Sequence, residues 1–424
     1  MPTVAAKTLG CKVNQYDTEA MLEILERAGY KTVPFESSAD VYLINTCTVT
    51  GTGDQKSLKL IRRVHREHPD AAIIAAGCLT QRTPRALCLP GVKLLIGVQR
   101  RGEVAGLLEK ALASDAPIDA VSGLEKTPFE MLSVSRHEGR TRAVMKIQEG
   151  CDRYCSYCVI PYVRGPVRSM PLSDLRAEAF RLAEAGYREI VLTGIHLMSY
   201  GLDTGESLLD AVRAAACAAK RVRLGSLEPK NITAEFARDL SLIPGVCPQF
   251  HLSLQSGSVT VLKRMNRRYT PEDYLAACEN LRRFFPGCAV TTDVIVGFPG
   301  ETEEEFSQTL SFVRQARLAR LHVFPYSRRS GTAADRLKGQ VSEDVKKGRA
   351  ERLIRLGEEL EEQYCLDSVG QTRPVLFEAC TEDGLCEGYT DTYVRVRAAA
   401  LPGDIRDVLI TEAQQTLCLG QITK

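Results

Sequence analysis

The feature that most constrains the fold is an alternation of apolar strand-length segments with amphipathic segments up to about residue 325. In the first part, Val4–Leu9, Val41–Asn45 and Ala71–Ala76 are apolar runs of strand length. Between the first two, Gln15–Ala28 carries apolar residues at helical spacing and ends at Gly29. Strands separated by helices predict a parallel sheet. We therefore expect residues 1–128 to form an amino-terminal parallel α/β domain.

A second alternation follows a polar segment, Ser114–His137, which we interpret as a linker. Its predicted strands are Arg142–Gln148, Glu189–Thr193, Arg221–Leu227, Gln249–Leu254, Ala289–Val296 and Arg320–Phe324. Helices are predicted between them, such as Ser173–Ala185 and Thr302–Ala316, the latter opened by a capping box of Thr302 and Glu305. Six β/α units predict a partial (β/α)6 barrel in residues 138–365, with its chemistry at the carboxyl edge of the strands.

The pattern of apolar and polar residues changes after a long charged helix predicted at Glu343–Tyr364. Arg373–Ala379, Tyr393–Ala398 and Asp407–Thr411 alternate in polarity and are separated by turn residues. Residues 366–424 are therefore predicted to form a small all-β barrel. The chain as a whole is predicted to be an α/β protein with this barrel at its carboxyl end.

Composition points to a globular chain, with 44% hydrophobic and 25% charged residues. No apolar run is long enough to span a bilayer, and the first residues lack a signal-peptide core. We therefore expect a cytoplasmic location and no membrane partner. In that reducing compartment clustered cysteines indicate metal or redox ligands, and the chain has 15 cysteines. Nine of them lack ligand spacing and are interpreted mostly as small buried hydrophobic residues.

Two cysteine sets carry the chemistry. Cys11, Cys47 and Cys78 each follow a predicted strand, and the carboxyl ends of parallel strands meet at one sheet edge, so these thiols are predicted to converge.

The second set, Cys151, Cys155 and Cys158, has the spacing C-x3-C-x2-C after the first barrel strand. Three thiolates can hold three irons of a [4Fe–4S] cluster and leave the fourth iron open. Three structural cysteines, or a zinc site, are the alternatives, although zinc lacks a fourth ligand nearby.

The whole set of motifs resembles the radical S-adenosylmethionine (SAM) methylthiotransferases, a family of transferases. The matching segments are Thr8–Asn14, Asn45–Cys47, Gly77–Cys78, the loop of Cys151, Cys155 and Cys158, Ile160–Gly165, Leu192–His196, Ser226–Pro229, Leu254–Ser258, Asp293–Thr302 and His322–Ser327. The tail resembles a TRAM domain. The resemblance implies a second [4Fe–4S] cluster on Cys11, Cys47 and Cys78. It also implies that SAM binds at the loop that carries Cys151, Cys155 and Cys158, the radical loop.

The resemblance also suggests SAM contacts. Tyr157 is expected to pack on the adenine, and Gly194 to allow close approach of the methionine moiety. Glu228, Gln255 and Asp293, at strand ends, are expected to bind ribose or amino groups. Each polar residue also has a structural alternative, and Tyr157 is equally consistent with an ordinary core aromatic.

Three branches of the family differ in substrate. The opening Gly10–Asp17 and the tail segment Gly388–Val396 resemble the MtaB-like branch. That branch adds a methylthio group to carbon 2 of threonylcarbamoyladenosine beside the tRNA anticodon. The implied partners are tRNA, an electron donor protein and a sulfur source. Methylthiolation of isopentenyladenosine or of a ribosomal protein aspartate, and an RNA-binding protein with structural clusters, remain the alternatives.

Basic residues that could bind the tRNA phosphates are unevenly distributed along the chain. From Asp367 onward, five Lys and Arg residues face nine Asp and Glu residues, so the tail is net negative. Phosphate binding needs cations, and three clusters lie elsewhere: Lys56, Lys59, Arg63 and Arg66; Lys263, Arg264, Arg267 and Arg268; and Arg164 with Arg168. Either these grip phosphates, while Tyr389, Tyr393, Arg395 or Arg397 read the modified base, or they are solvated faces.

Overall fold

Six parallel strands form the first sheet of the computed structural model, which describes residues 1–125, 127–135, 141–382 and 384–423. In chain order they are β1 (Thr3–Thr8), β2 (Lys31–Thr32), β3 (Val41–Thr46), β4 (Ala72–Gly77), β5 (Val92–Ile96) and β6 (Ile118–Asp119). Their spatial order is β2-β1-β3-β4-β5-β6. The helices are α1 (Lys12–Arg27), α2 (Gly51–Glu67), α3 (Cys78–Arg82) and α4 (Val104–Leu112). The predicted parallel α/β domain is thus confirmed.

The predicted linker differs from the observed segment. β6 lies inside it and adds a sixth strand beside β5, and Phe129, Leu132 and Val134 are buried. Apolar residues in this segment therefore extend both the sheet and the core, which a composition rich in polar residues did not indicate. The domain boundary at residue 138 and the linker's last residue, His137, lie outside the described residues, as do Asp383 and Lys424 of the tail.

The central domain contains the six predicted β/α strands in two four-stranded sheets, β10-β9-β7-β8 and β11-β12-β13-β14. The strands are β7 (Arg142–Glu149), β8 (Arg168–Ser169), β9 (Glu189–Gly194), β10 (Arg221–Leu224), β11 (Ser226–Leu227), β12 (Gln249–Leu252), β13 (Ala289–Val296) and β14 (Arg320–Pro325). Gly225 divides the third predicted strand into β10 and β11, and short β8 pairs antiparallel with β7. One large core lies between these strands and their helices.

The helices of the central domain include the predicted capping box, in which Glu305 N donates to Thr302 Oγ1 and Thr302 N donates to Glu305 Oε2. In chain order they are α5 (Pro161–Arg164), α6 (Leu172–Glu184), α7 (Leu208–Ala216), α8 (Ala234–Ser241), α9 (Val259–Arg264), α10 (Pro271–Phe284), α11 (Glu303–Ala316) and α12 (Glu343–Asp367). Helix α12 then leads into the tail. Within the described ranges, every helix is too short or too polar to cross a membrane.

The tail is a closed five-stranded barrel, as its alternation predicts. Its strands, in the spatial order β15-β16-β17-β19-β18, are β15 (Thr372–Cys380), β16 (Cys386–Thr390), β17 (Arg395–Ala398), β18 (Ile405–Gln414) and β19 (Leu417–Ile422). Cys380 and Cys386, paired across β15 and β16, form a disulfide. Cys88 and Cys217 are exposed. The exposed Cys88, Cys217 and Cys380 differ from the prediction, while Cys386 and the remaining five are buried, as predicted for most of the nine.

Candidate cofactor site

The amino-terminal cysteines follow three neighbouring strands of one sheet. Cys11 precedes α1, Cys47 follows β3 and Cys78 begins α3. Their loops approach closely because Gly10 lacks a side chain: with φ +108°, a Cβ there would lie 3.0 Å from Cys47 Sγ. Gly77, with φ +93°, is equally required, since a Cβ would lie 2.1 Å from Asn45 Oδ1.

Asn14, in the first turn of α1, ties these loops together. Its Nδ2 donates to the carbonyl oxygens of Leu9 (2.8 Å) and Thr46 (2.9 Å), while Cys78 Sγ lies 3.7 Å from its Oδ1. Burial raises the pKa of the Cys47 thiol, and it raises the pKa of Cys78 to about 11. Metal binding at these sulfurs must therefore displace protons, which makes affinity depend on pH.

A buried arginine connects this triad to the central domain. Arg164 Nε lies 3.3 Å from Cys78 Sγ, and its Nη1 donates to Glu149 Oε1. Glu149 also accepts from Arg101 Nη2 at 2.9 Å, and Lys146 Nζ lies 3.6 Å from it. All four side chains are at most 2% exposed. Since Glu149 lies two residues before Cys151, the network joins the amino-terminal cysteine set to the start of the loop that carries the second set.

Arg164 and Arg168 were predicted from the sequence to form a phosphate-binding cluster, and this prediction is wrong. Both side chains are buried, at 1% and 3% exposure, so neither is available to a tRNA phosphate. The positions of charged residues in the sequence do not show that these arginines are buried, because their burial depends on how the two domains pack. Arg264 is also engaged, through two hydrogen bonds to Glu305.

The second triad lies on the loop between β7 and α5. A cavity of about 140 Å³ opens beside it. Its lining includes Cys151, Cys155, Cys158, Arg153, Tyr157, Ile160, Ile195, His196, Ser226, Leu227, Glu228, Ser253 and Arg267. Burial raises the pKa of Cys151 to about 11 and that of Cys158 to about 12. Arg267 Nη1 lies 3.3 Å from Cys155 Sγ, a contact that sequence reasoning missed by assigning Arg267 to phosphates.

Two of the predicted SAM-binding residues line this cavity. Glu228 accepts from Arg153 Nη2 at 3.0 Å and faces His196 Nε2 at 3.2 Å, so a carboxylate is held at the cavity wall. Tyr157 lines the cavity and also packs edge-on against Phe298, with ring centroids 6.5 Å apart. The tyrosine therefore lines the cavity and also has the core packing expected of an ordinary aromatic residue.

The other three predicted SAM contacts are not among the residues lining this cavity. The space that a Cβ of Gly194 would occupy is filled by Gln148, 2.9 Å away, so this glycine is required by strand packing. Gln255 has φ +68°, and its backbone N–H donates to the Asp293 carbonyl oxygen at 2.8 Å. The Asp293 carboxylate lies 3.3 Å from His251 Nε2. Their role toward SAM stays a prediction.

The donor sets fit iron–sulfur clusters better than single ions. Among the residues that the structure describes, no three His, Cys, Asp or Glu groups are placed to hold one metal ion. A cluster places a different iron against each thiolate, so three thiols need not meet at one point. A [4Fe–4S] cluster on Cys151, Cys155 and Cys158 would have one iron without a protein thiolate, and a cavity that could take an external ligand opens beside this loop.

Comparison with known families covers all three parts of the chain. The model of the uncharacterized protein family UPF0004 matches residues 3–97, that of the radical SAM superfamily matches residues 145–313, and that of the TRAM domain matches residues 367–423. The radical SAM match carries the expectation of SAM and one [4Fe–4S] cluster. The fold is also similar to that of the radical SAM methyltransferase TsrM from Kitasatospora setae, with a TM-score of 0.56 at 16% identity, covering 91% of this chain and 77% of that one.

Two relatives align over nearly the whole length. The threonylcarbamoyladenosine tRNA methylthiotransferase MtaB of Bacillus subtilis is 43% identical over 406 residues, 93% of this chain and 90% of that protein. The tRNA-2-methylthio-N(6)-dimethylallyladenosine synthase of Desulfotalea psychrophila is 34% identical over 440 residues, 99% of this chain and 98% of that protein. With such relatives and a radical SAM domain between its two other matched domains, the chain belongs to the radical SAM tRNA methylthiotransferase family.

Proposed function

We propose that this enzyme adds a methylthio group to carbon 2 of threonylcarbamoyladenosine next to the tRNA anticodon. The relative at 43% identity carries that activity in its name, whereas the relative named for dimethylallyladenosine is 34% identical. The observation that supports the two-site part of the proposal is the contact of Arg164 with Cys78 and Glu149, because it joins the amino-terminal cysteine set to the end of the strand that leads into the second set.

In this proposal Cys151, Cys155 and Cys158 hold one [4Fe–4S] cluster, and Cys11, Cys47 and Cys78 hold a second. When bound, the clusters and SAM supply the radical and sulfur-transfer chemistry. The chain's own residues orient these groups: Arg267 contacts one sulfur of the radical loop, and Arg164 contacts one sulfur of the other set. Fixing both sets against the same base makes successive steps effectively intramolecular.

The proposal also assigns roles in SAM binding to residues outside the two cysteine sets. Glu228, at the wall of the radical-loop cavity, is proposed to bind ribose or amino groups of SAM, and Tyr157 to contact its adenine. Gly194, Gln255 and Asp293 are proposed to shape the same region from behind that wall. An electron donor protein and a sulfur source are required partners, since the chain's residues supply neither the electron nor the transferred sulfur. We propose domain limits of 1–128, 138–365 and 366–424.

The test replaces each cysteine set by alanine in the anaerobically reconstituted enzyme. Loss of Cys151, Cys155 and Cys158 should abolish both SAM cleavage and methylthiolation. Loss of Cys11, Cys47 and Cys78 should abolish methylthiolation, lower bound iron and leave SAM cleavage measurable as 5′-deoxyadenosine. Nucleoside mass spectrometry of tRNA with threonylcarbamoyladenosine, with isopentenyladenosine, or with neither, then identifies the substrate. Equal turnover on all three would refute the assignment to threonylcarbamoyladenosine.

A further inference from the structure

A second cavity lies between the central domain and the tail barrel. Its volume is about 310 Å³, and its walls include Lys12, Arg142, Val144, Val191, Glu378 and Tyr393. Lys12 comes from the amino-terminal domain, Arg142 and the two valines from the first central strands, and the last two residues from the tail. All three parts of the chain therefore contribute to one partly open cavity.

The cavity is cationic. Arg142 Nε pairs with Glu378 Oε1 at 2.8 Å, and its guanidinium lies over the stacked rings of Tyr389 and Tyr393, 5.2 and 5.1 Å from their centroids. Lys12 has no carboxylate oxygen within 4 Å of Nζ among the described residues, and it lines the same cavity as Arg142 and Tyr393. This leaves an ammonium group in the cavity wall without an ion-pair partner.

The neighbouring charges do not neutralise it. Behind Tyr393, Arg221 Nη2 and Arg223 Nε both bind the single carboxylate of Glu189, at 2.8 and 2.7 Å. With Lys12 and Arg142 this makes four cations against the two carboxylates Glu189 and Glu378, a net charge of +2. The nearby Asp391 carboxylate does not change this net charge, because it is balanced by Arg373 at 3.9 Å. Such a partly enclosed cationic wall favours an anionic ligand.

The cavity is also next to the chemistry. Lys12 directly follows Cys11 in the first turn of α1, so its side chain starts at the edge of the amino-terminal cysteine set. In adenine, carbon 2 and the substituent on N6 lie on the same edge of the base. A base with carbon 2 near that cysteine set can therefore extend its N6 substituent toward Lys12.

Resting on the proposed function, we propose that Lys12 and Arg142 bind the carboxylate of the threonylcarbamoyl group and so select this substrate. The stacked Tyr389 and Tyr393 rings are positioning residues that hold the Arg142 guanidinium. An apolar dimethylallyl group offers no anion and would leave Lys12 and Arg142 unpaired, and a site built for a polar group rejects an analogue that lacks it. Specificity here comes from a charged pocket wall contributed by all three domains.

The experiment uses two anticodon stem-loop RNAs, one with threonylcarbamoyladenosine and one with its methyl ester, which removes the negative charge and adds one methyl group. Binding to the reconstituted enzyme is measured by fluorescence anisotropy, and methylthiolation by mass spectrometry. Wild-type enzyme should prefer the acid. Lys12→Met should weaken acid binding about 10- to 100-fold, leave the ester unchanged and so remove the preference.

Lys12→Arg should restore most of the preference, and Lys31→Met, an exposed lysine at the start of β2, is the matched control. Iron content and SAM cleavage are measured on every preparation. Equal weakening of acid and ester, or an unchanged preference in Lys12→Met, would overturn the proposal. If binding follows the prediction but no methylthio product forms on any RNA, the proposed reaction is wrong while the carboxylate subsite stands.

Discussion

Arg164 Nε lies 3.3 Å from Cys78 Sγ, and this contact joins the central domain to the amino-terminal cysteine set. The same guanidinium binds Glu149 Oε1 and Asn14 Oδ1, so its three acceptors come from two domains. Burial opposes the charge of Arg164, yet the neighbouring Cys78 and Glu149 groups raise its pKa above the usual value. The residue is therefore a permanently charged hydrogen-bond donor beside the Cys78 sulfur.

Replacing Arg164 should damage the amino-terminal site in particular. Arg164→Met removes the donor to Cys78 and leaves Glu149 with one fewer partner, and breaking a buried ion pair costs about 3–5 kcal/mol. Arg164→Lys keeps the positive charge, but a lysine has no planar guanidinium group that could donate to several acceptors at once. We expect both variants to bind less iron at the amino-terminal set, and Arg164→Met to be less stable. Iron analysis of a variant that also lacks Cys151, Cys155 and Cys158 measures the amino-terminal site alone. An unchanged iron content in that variant would contradict the proposed role of Arg164.

The buried carboxylate of Asp17 should be among the most sensitive positions for stability. It binds Arg101 Nη1 and also Lys146 Nζ, and all three side chains are at most 3% exposed. Asp17→Asn leaves these cations undercompensated, so we expect a loss of about 3–5 kcal/mol in the free energy of unfolding. Added salt should hardly change that loss, because buried pairs are poorly screened.

Urea unfolding of the cluster-free protein measures this effect. The matched control is Arg27→Gln, which removes an exposed arginine from its pair with Glu23 at 3.1 Å and should cost less than about 1 kcal/mol. Similar losses for both variants would show that the buried network is not a special source of stability.

Glu305 should contribute to acid sensitivity. Its hydrogen bonds with Arg264 lower the pKa of Glu305 to about 2 in the folded chain. Because this pKa is below the unfolded value near 4.3, the stabilisation is present above about pH 4.3 and is lost as pH falls toward 2. Glu305→Gln should therefore lower stability by about 1–3 kcal/mol at pH 6 and by less at pH 3. Urea midpoints across that range check this, and a constant difference would contradict the assigned cause.

The basic face of α2 remains the predicted phosphate-binding surface. Lys56, Lys59 and Arg66 are exposed, while Arg63 is half-buried and lies 3.6 Å from a Glu36 oxygen. Changing all four to Ala should flatten the salt dependence of tRNA binding by about one unit for each phosphate that is no longer bound. We expect about two units, since Arg63 and Arg66 each already lie 3.6 Å from a carboxylate oxygen, of Glu36 and of Glu67.

The comparison for this prediction is a tail variant, Arg395→Ala with Arg397→Ala. Both arginines bind Glu387 in the folded barrel, so the tail offers few free cations to phosphates. Binding constants at several salt concentrations give the slopes. A strong flattening for the tail variant, with no change for the α2 variant, would assign phosphate binding to the tail instead.

Much of the architecture was predictable because it depends on local patterns. Apolar runs of strand length located β1, β3, β4 and the six main barrel strands, and the Thr302 capping box marked the start of α11. Cysteine spacing and position after strands indicated both triads, because parallel strands bring their carboxyl ends to one edge. Short strands such as β6 were missed, since two residues carry too little periodicity to detect.

What the sequence alone determined is the order of elements, the two thiol sets and the family, since these follow from residue type and spacing. Only the tertiary structure decided that Arg164 is a buried partner of Cys78 and that Lys12 meets Arg142 and Tyr393 across three domains. An arginine in solvent and one in a domain interface look the same in a sequence. Their surroundings depend on contacts between segments far apart in the chain, and those contacts set burial, pairing and therefore chemistry.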